Sequence, residues 1–259
     1  MSPLPDRLAA IQAGLRETAT LAEVLAVDCP ALLRAVFPAL ASECRAEVEA
    51  LSGSGILARM TAMGHLLLDR LGPAEIALLA AHPSDTVRGW ACFMIGARDM
   101  PLPERLTAIR PLADDHHFGV REWAWLAVRP AIAADLDAAF AGLTGWTGDP
   151  SERIRRFACE ATRPRGVWCR HLAALKADPQ PGRALLDPLR ADPSAYVQNS
   201  VGNWLNDAAK TRPDWVRGVI DDWLSGHPAP VTGRIARRAL RSIDRITPAE
   251  KDPPSCTTC

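Results

Sequence analysis

Twenty residues, Asp149 to Trp168 (DPSERIRRFACEATRPRGVW), hold five arginines (Arg153, Arg155, Arg156, Arg163, Arg165), a carboxylate at Glu160 and a terminal tryptophan. These side chains have a limited repertoire. Arginine forks bind phosphate or carboxylate. A carboxylate stabilises a cation forming beside it or orients a water, and an indole face attracts a cation, most strongly a desolvated one. The plain alternative for Glu160 is an ion pair on the helix surface, because Arg156 precedes it by four residues and Arg163 follows it by three. Glu122, directly after Arg121, invites the same alternative.

The elements that position these groups show as a repeat. A turn with Asp and often Pro precedes a β-branched residue, then usually a basic one, then an apolar run: HPSDTVRGWACFMIG (82–96), DDHHFGVREWAWLAV (114–128), DPSERIRRFACEAT (149–162) and DPSAYVQNSVGNWLND (192–207). The anchors Val87, Val120, Ile154 and Val197 stand 33, 34 and 43 residues apart, and GRIARRALRSI, around Ile235, reads as a weaker fifth copy. Periods of this size, with 102–112, 132–142, 166–176 and 182–190 as partner helices, predict an all-α, curved, right-handed solenoid of HEAT-like antiparallel helical repeats. The Asp before each copy can cap the following helix, and Pro suits its first turn. Upstream, 7–27 and 29–52 read as two Ala/Leu-rich helices, broken near Asp28 and Pro30 and ended by Ser-Gly-Ser-Gly at 52–55. One domain over 1–245 and a disordered tail over 246–259 are expected.

Aligned on the residue after each anchor, the copies share an apolar face: Val87, Ala91, Met94; Val120, Ala124, Ala127; Ile154, Ala158, Ala161; Val197, Val201, Trp204. The stripe beside it diverges, with Gly89 and Phe93, then Glu122 and Leu126, then Arg156 and Glu160, then Asn199, Asn203 and Asp207. If these helices line the concave side, Glu122, Glu160 and Asp207 converge on one groove. Among eight tryptophans, Trp123 and Trp204 lie on or beside the packed face, whereas Trp90, Trp125 and Trp168 are freer to face that groove.

Composition narrows the class. Positive and negative charges balance at 30 each, but unevenly: residues 151–170 hold six arginines against Glu152 and Glu160, and 233–251 hold six basic residues against Asp244 and Glu250. Such blocks bind polyanions even in a neutral chain, or they are solvated helix faces. No apolar run reaches the ~18 residues of a membrane span, and no secretory leader opens the chain, so a cytoplasmic protein without membrane contact is expected. The seven cysteines do not form a disulfide pattern. The pair Cys256-Thr-Thr-Cys259 lacks two further ligands for a metal site and reads as loose tail. No metal or other cofactor is expected.

ERIRRFACEATRPRGVW and DPSAYVQNSVGNWLNDAAKTRPDWV resemble matching motifs of the HEAT-like DNA alkylation repair glycosylases, the AlkC branch more than the AlkD branch, over roughly residues 50 to 225. The resemblance implies excision of alkylated purines, chiefly 3-methyladenine, from duplex DNA without deep base flipping, by a monomer. It implies catalytic carboxylates at Glu160 and Asp207 with Glu122 beside them, a lesion-facing indole at Trp168, and phosphate contacts from Arg156, Arg163, Arg165 and Lys210. Asn203 and Asn206 join that DNA-binding set, and Trp90 and Trp125 join Trp168 as lesion contacts. The chain departs from the family where Gln198 and Asn199 replace an expected basic run and Gly166-Val167 an expected Leu-Pro. The C-terminal immunoglobulin-like domain of some relatives is expected to be lacking. The rival readings are a catalytically silent DNA binder for damaged or branched DNA, and a HEAT scaffold for a protein partner. The three carboxylates favour an enzyme over the silent relative, and the clustered arginines favour DNA over protein.

Overall fold

The computed structural model describes residues 4–243, so the tail 246–259 with Cys256 and Cys259 lies outside the described residues. Within them every regular element is a helix. The first fifty residues differ from the two long helices expected. Five short ones replace them: Leu4–Gln12, Leu21–Ala26, Cys29–Val36, Pro38–Glu43 and Arg45–Glu49. The breaks have local causes. Gly14 takes a φ of 73° after the first helix. Thr20 and Asp28 then open new helices by accepting amide hydrogens from Glu23 (3.2 Å) and Ala31 (3.0 Å), and Pro38 starts a further one where its missing amide is harmless.

From residue 56 onward the expected repeat array is present. Six helices stack side by side: α1 (Ile56–Leu71), α2 (Asp85–Ala97), α3 (Phe118–Ala134), α4 (Glu152–Glu160), α5 (Ala195–Ala209) and α6 (Pro230–Leu240). Between consecutive members run the partner helices Ile76–Ala80, Leu102–Ala113, Leu136–Thr144, Arg183–Leu189 and Pro213–Leu224. Two of the expected partner segments shift. The one expected at 132–142 starts at Leu136 because α3 continues to Ala134, and the one at 166–176 shrinks to Ala173–Ala177. The anchors Val87, Val120, Ile154, Val197 and Ile235 are all buried, which makes the region around Ile235 a true fifth copy.

The turns explain the repeated basic residue. Asp115, Asp149 and Asp192 do not cap their helices directly; each accepts the amide of the residue two positions on, His117, Ser151 or Ser194. Those three residues are the caps themselves. The residue after each anchor then binds its own turn: Arg88 donates to His82 O, Arg121 to Asp115 O, Arg155 to Asp149 O and Gln198 to Asp192 O, each at 2.8 Å. Arg88 and Arg155 also reach the next copy, at Asp115 (2.8 Å) and Asp192 (2.6 Å). These arginines join repeats, and their charge is consumed in doing so.

Candidate active site

Helix α4 stops at Glu160, and its end is held from both sides. Arg129, from α3, donates through Nη1 to Ala161 O (2.8 Å) and through Nη2 to Arg163 O (2.6 Å), satisfying carbonyls that a helix terminus leaves open. Trp204, from α5, donates to Thr162 O at 3.0 Å. The chain therefore turns back at a fixed angle, and Arg163 points into the stack. Its Nη1 donates to Glu160 Oε1 (2.6 Å) and its Nε to Asp207 Oδ2 (2.9 Å). One guanidinium thus bridges carboxylates from successive repeats.

Further groups complete the cluster. Ser200 Oγ donates to Glu160 Oε2, and Lys210 Nζ lies 3.5 Å from Asp207 Oδ1. Arg156 binds Glu122 Oε1 at 2.6 Å, approaches Glu160 Oε2 at 3.8 Å and lies 4.5 Å above the Tyr196 ring. Trp125 Nε1 donates to Glu122 Oε2 at 2.8 Å. The structure thus brings Glu122, Glu160 and Asp207 into one network, in which three carboxylates meet Arg156, Arg163 and Lys210.

Glu160 and Asp207 are only 4% and 3% exposed. Burial pushes the Glu160 carboxyl up, but Arg156, Arg163 and the Ser200 hydroxyl outweigh it, and its pKa falls below the usual value. Glu160 is therefore ionised at neutral pH in a poorly solvated place. Of the ion pairs foreseen as the plain alternative, Glu160 makes both, whereas Glu122 pairs with Arg156 of the next repeat and not with its neighbour Arg121; these contacts hold the buried carboxylates in fixed positions.

Trp168 is the indole that faces solvent. It is 52% exposed and, among the described residues, the one non-glycine with positive φ, at 61°. That conformation costs roughly 1–2 kcal/mol. The neighbouring departure at Gly166 has a steric cause: a Cβ there would sit 2.5 Å from Cys169 Sγ and 3.2 Å from Arg129 Cζ, so only glycine lets this loop lie against the arginine that holds it. Lys210 is partly exposed, and so is Arg165, although its buried Nε meets no hydrogen-bond partner among the described residues.

Several expectations need correction. Trp90 is completely buried inside the stack, and Trp125 is buried beneath Glu122, so neither offers a free face to a groove. Asn206 is buried and donates to Ala239 O (3.0 Å) and Ser242 Oγ (3.0 Å), which joins α5 to α6 instead of reaching DNA. Arg156 and Arg163 hold carboxylates beneath the surface, not phosphates on its rim. Asn203 accepts from Arg238 (2.9 Å) and Arg241 (3.1 Å). The sequence reading missed Arg129, Tyr196 and Ser200. The last two had a signal: Tyr196, Ser200, Asn203 and Asp207 follow 4, 3 and 4 spacing on one face of α5. Beside the network, a cleft of about 670 Å³ lies over Phe93 and Leu126, with Arg129 and Cys169 on one wall.

The family described as "DNA alkylation repair enzyme" matches residues 81–243. The protein YhaZ of Bacillus subtilis (strain 168) is 41% identical over 117 residues, 45% of this chain and 32% of YhaZ. The fold is similar to that of the alkylpurine DNA glycosylase AlkC of Pseudomonas fluorescens, solved bound to DNA containing an abasic site analog. The TM-score is 0.65 and the identity 27%, over 92% of this chain and 62% of that one. AlkD2 from Streptococcus mutans shares the fold at a TM-score of 0.55 and 20% identity, over 92% of this chain and 98% of its own. The chain thus spans about a third of YhaZ and less than two thirds of the AlkC chain.

Proposed function

The chain belongs to the DNA alkylation repair enzyme family, and from that premise we propose that it is a DNA glycosylase that hydrolyses the N-glycosidic bond of cationic alkylated purines, chiefly 3-methyladenine. The observation that carries this reading is the pair of buried carboxylates, Glu160 and Asp207, supplied by successive repeats and fixed by one arginine. A purine alkylated at N3 is already positive. Its bond to C1′ breaks with both electrons passing to the base, which leaves neutral and needs no proton. The sugar becomes electron-poor, a water adds at C1′, and its proton passes to a carboxylate.

Each group has a proposed part. Glu160, held through both oxygens, supplies a fixed negative charge to the oxocarbenium-like sugar without having to reorganise. Asp207 orients the water through Oδ1, the oxygen facing the partly exposed Lys210. Glu122 adds to the field from the edge of the cluster. Trp168 attracts the cationic base through its ring face, a preference that a neutral base does not share. Arg165 and Lys210, both reached by solvent, bind backbone phosphate in this reading. A strained, exposed indole on the loop that follows Glu160 fits this division of labour better than a packing role would.

A second reading, a catalytically silent DNA binder, draws on the complete pairing of the carboxylates with cations. Methylated duplex DNA incubated with the protein distinguishes the two. Free 3-methyladenine, detected by chromatography, should accumulate, and faster than hypoxanthine from a matched duplex with a neutral lesion. DNA binding with no base released would replace the first reading by the second.

A further inference from the structure

Helix α6 carries three arginines, Arg234, Arg237 and Arg238. What faces Arg234 and Arg238 on α5 is a set of neutral amide side chains. Arg234 donates to the side-chain oxygens of Gln198 (3.2 Å) and Asn199 (3.3 Å), and Arg238 donates to Asn203 Oδ1 at 2.9 Å. Four arginines that cross between stack helices or their turns elsewhere meet a carboxylate: Arg88 with Asp115, Arg155 with Asp192, Arg156 with Glu122 and Arg163 with Asp207. An amide oxygen aims a guanidinium but does not neutralise it.

The packing keeps these charges at the surface. A Cβ on Gly202 would come within 2.8 Å of Arg238 Cβ and Cδ, so the glycine lets the arginine stem lie directly across α5. Arg234 and Arg238 both remain exposed, and no described carboxylate lies within ion-pair distance of either. From Arg234 to Arg238 the row is about 6 Å long at about 1.5 Å per residue, a length matching about two phosphates at about 3.4 Å of rise along one strand.

We propose that this amide-aimed row on α6, with Arg234 and Arg238 at its core, is a phosphate-binding strip for the DNA duplex engaged by the carboxylate cluster. It rests on the function proposed above and extends the DNA-binding face one repeat beyond it. Gln198, Asn199 and Asn203 are its positioning residues, and their neutrality is what leaves the arginines available to a polyanion.

Salt dependence tests the strip. The affinity for a duplex oligonucleotide carrying an abasic-site analogue is measured by fluorescence anisotropy across a sodium chloride series, for the wild type and for Arg234→Gln/Arg238→Gln. The plot of log affinity against log salt should flatten by about 1.8, about 0.9 for each phosphate that is no longer neutralised. The Arg234→Lys/Arg238→Lys pair should keep most of the slope, because it keeps the charge. An unchanged slope in the glutamine pair overturns the inference, as does a lysine pair as flat as the glutamine pair, which would make the arginines inter-repeat staples. A wild type that fails to bind the duplex at low salt overturns the DNA reading itself, and that outcome is visible before any variant is measured.

Discussion

The two halves of the stack use one register for opposite purposes. Five positions beyond the residue that follows the anchor, α2 has Phe93, α3 has Leu126, and α4 has Glu160. All three are buried. In the first half the position fills space with carbon, and the groove floor there is an apolar cleft. In the second half it carries an anion, which must bring Arg163, Arg156 and Ser200 with it, because burial of an unpaired charge costs several kcal/mol. A repeat fold can thus turn a packing position into a charged one, provided neighbouring copies supply the counter-charges.

The largest test of that contrast removes the shared counter-charge. Arg163→Ala leaves both Glu160 and Asp207 without their main donor and should lower unfolding free energy by about 3–5 kcal/mol in urea titration. A loss under about 1 kcal/mol would mean that the pairs do not hold this half together. In the other half Phe93→Ala should cost about 3–4 kcal/mol by cavity formation, yet leave the single-turnover rate of base release per folded molecule unchanged. A slowed reaction there would erase the division between scaffold and site. Trp168→Ala should slow excision of a cationic base about 10-fold, consistent with about 1–2 kcal/mol of cation–π attraction, while Tm stays level because the half-exposed ring gives up little packing.

The smallest effect concerns acid. Because the Glu160 pKa is depressed in the folded protein, its contribution to stability is fully present above the ordinary carboxylate value of 4.5 and is lost as pH falls through the lower folded value. Glu160→Gln should therefore show a shallower decline of stability below about pH 4.5 than the wild type, read from urea midpoints. An identical acid limb would place the linked proton elsewhere.

Much of this architecture was legible in the sequence because the anchors recur and one face stays apolar through four copies. The carboxylates stood out for the same reason, as departures from an otherwise regular stripe. What stayed hidden depended on where helices end. The sequence carries the repeat copy to 162 and opens its partner helix at 166, but α4 stops at Glu160 and the next helix begins at Ala173, and the backbone carbonyls between are taken by Arg129, whose role depends on a hydrogen bond across thirty-two residues. Tryptophans misled because a helix in a stack has neighbours on more than one side, so Trp90 and Trp125 could be off the packed face and still buried. Basic residues misled in the same way. Spacing shows that Arg156 and Arg163 share a face with Glu160, but not that burial would commit them to it.

The central claim is that fixed negative charge on α4 and α5 accelerates departure of a cationic base. Single-turnover release of 3-methyladenine from a methylated duplex, with protein in excess, measures it directly in the wild type, Glu160→Gln and Asp207→Asn. The account predicts rates lower by about 100-fold or more for each variant, with duplex affinity held within a few-fold. Variants that release the base as fast as the wild type would contradict it.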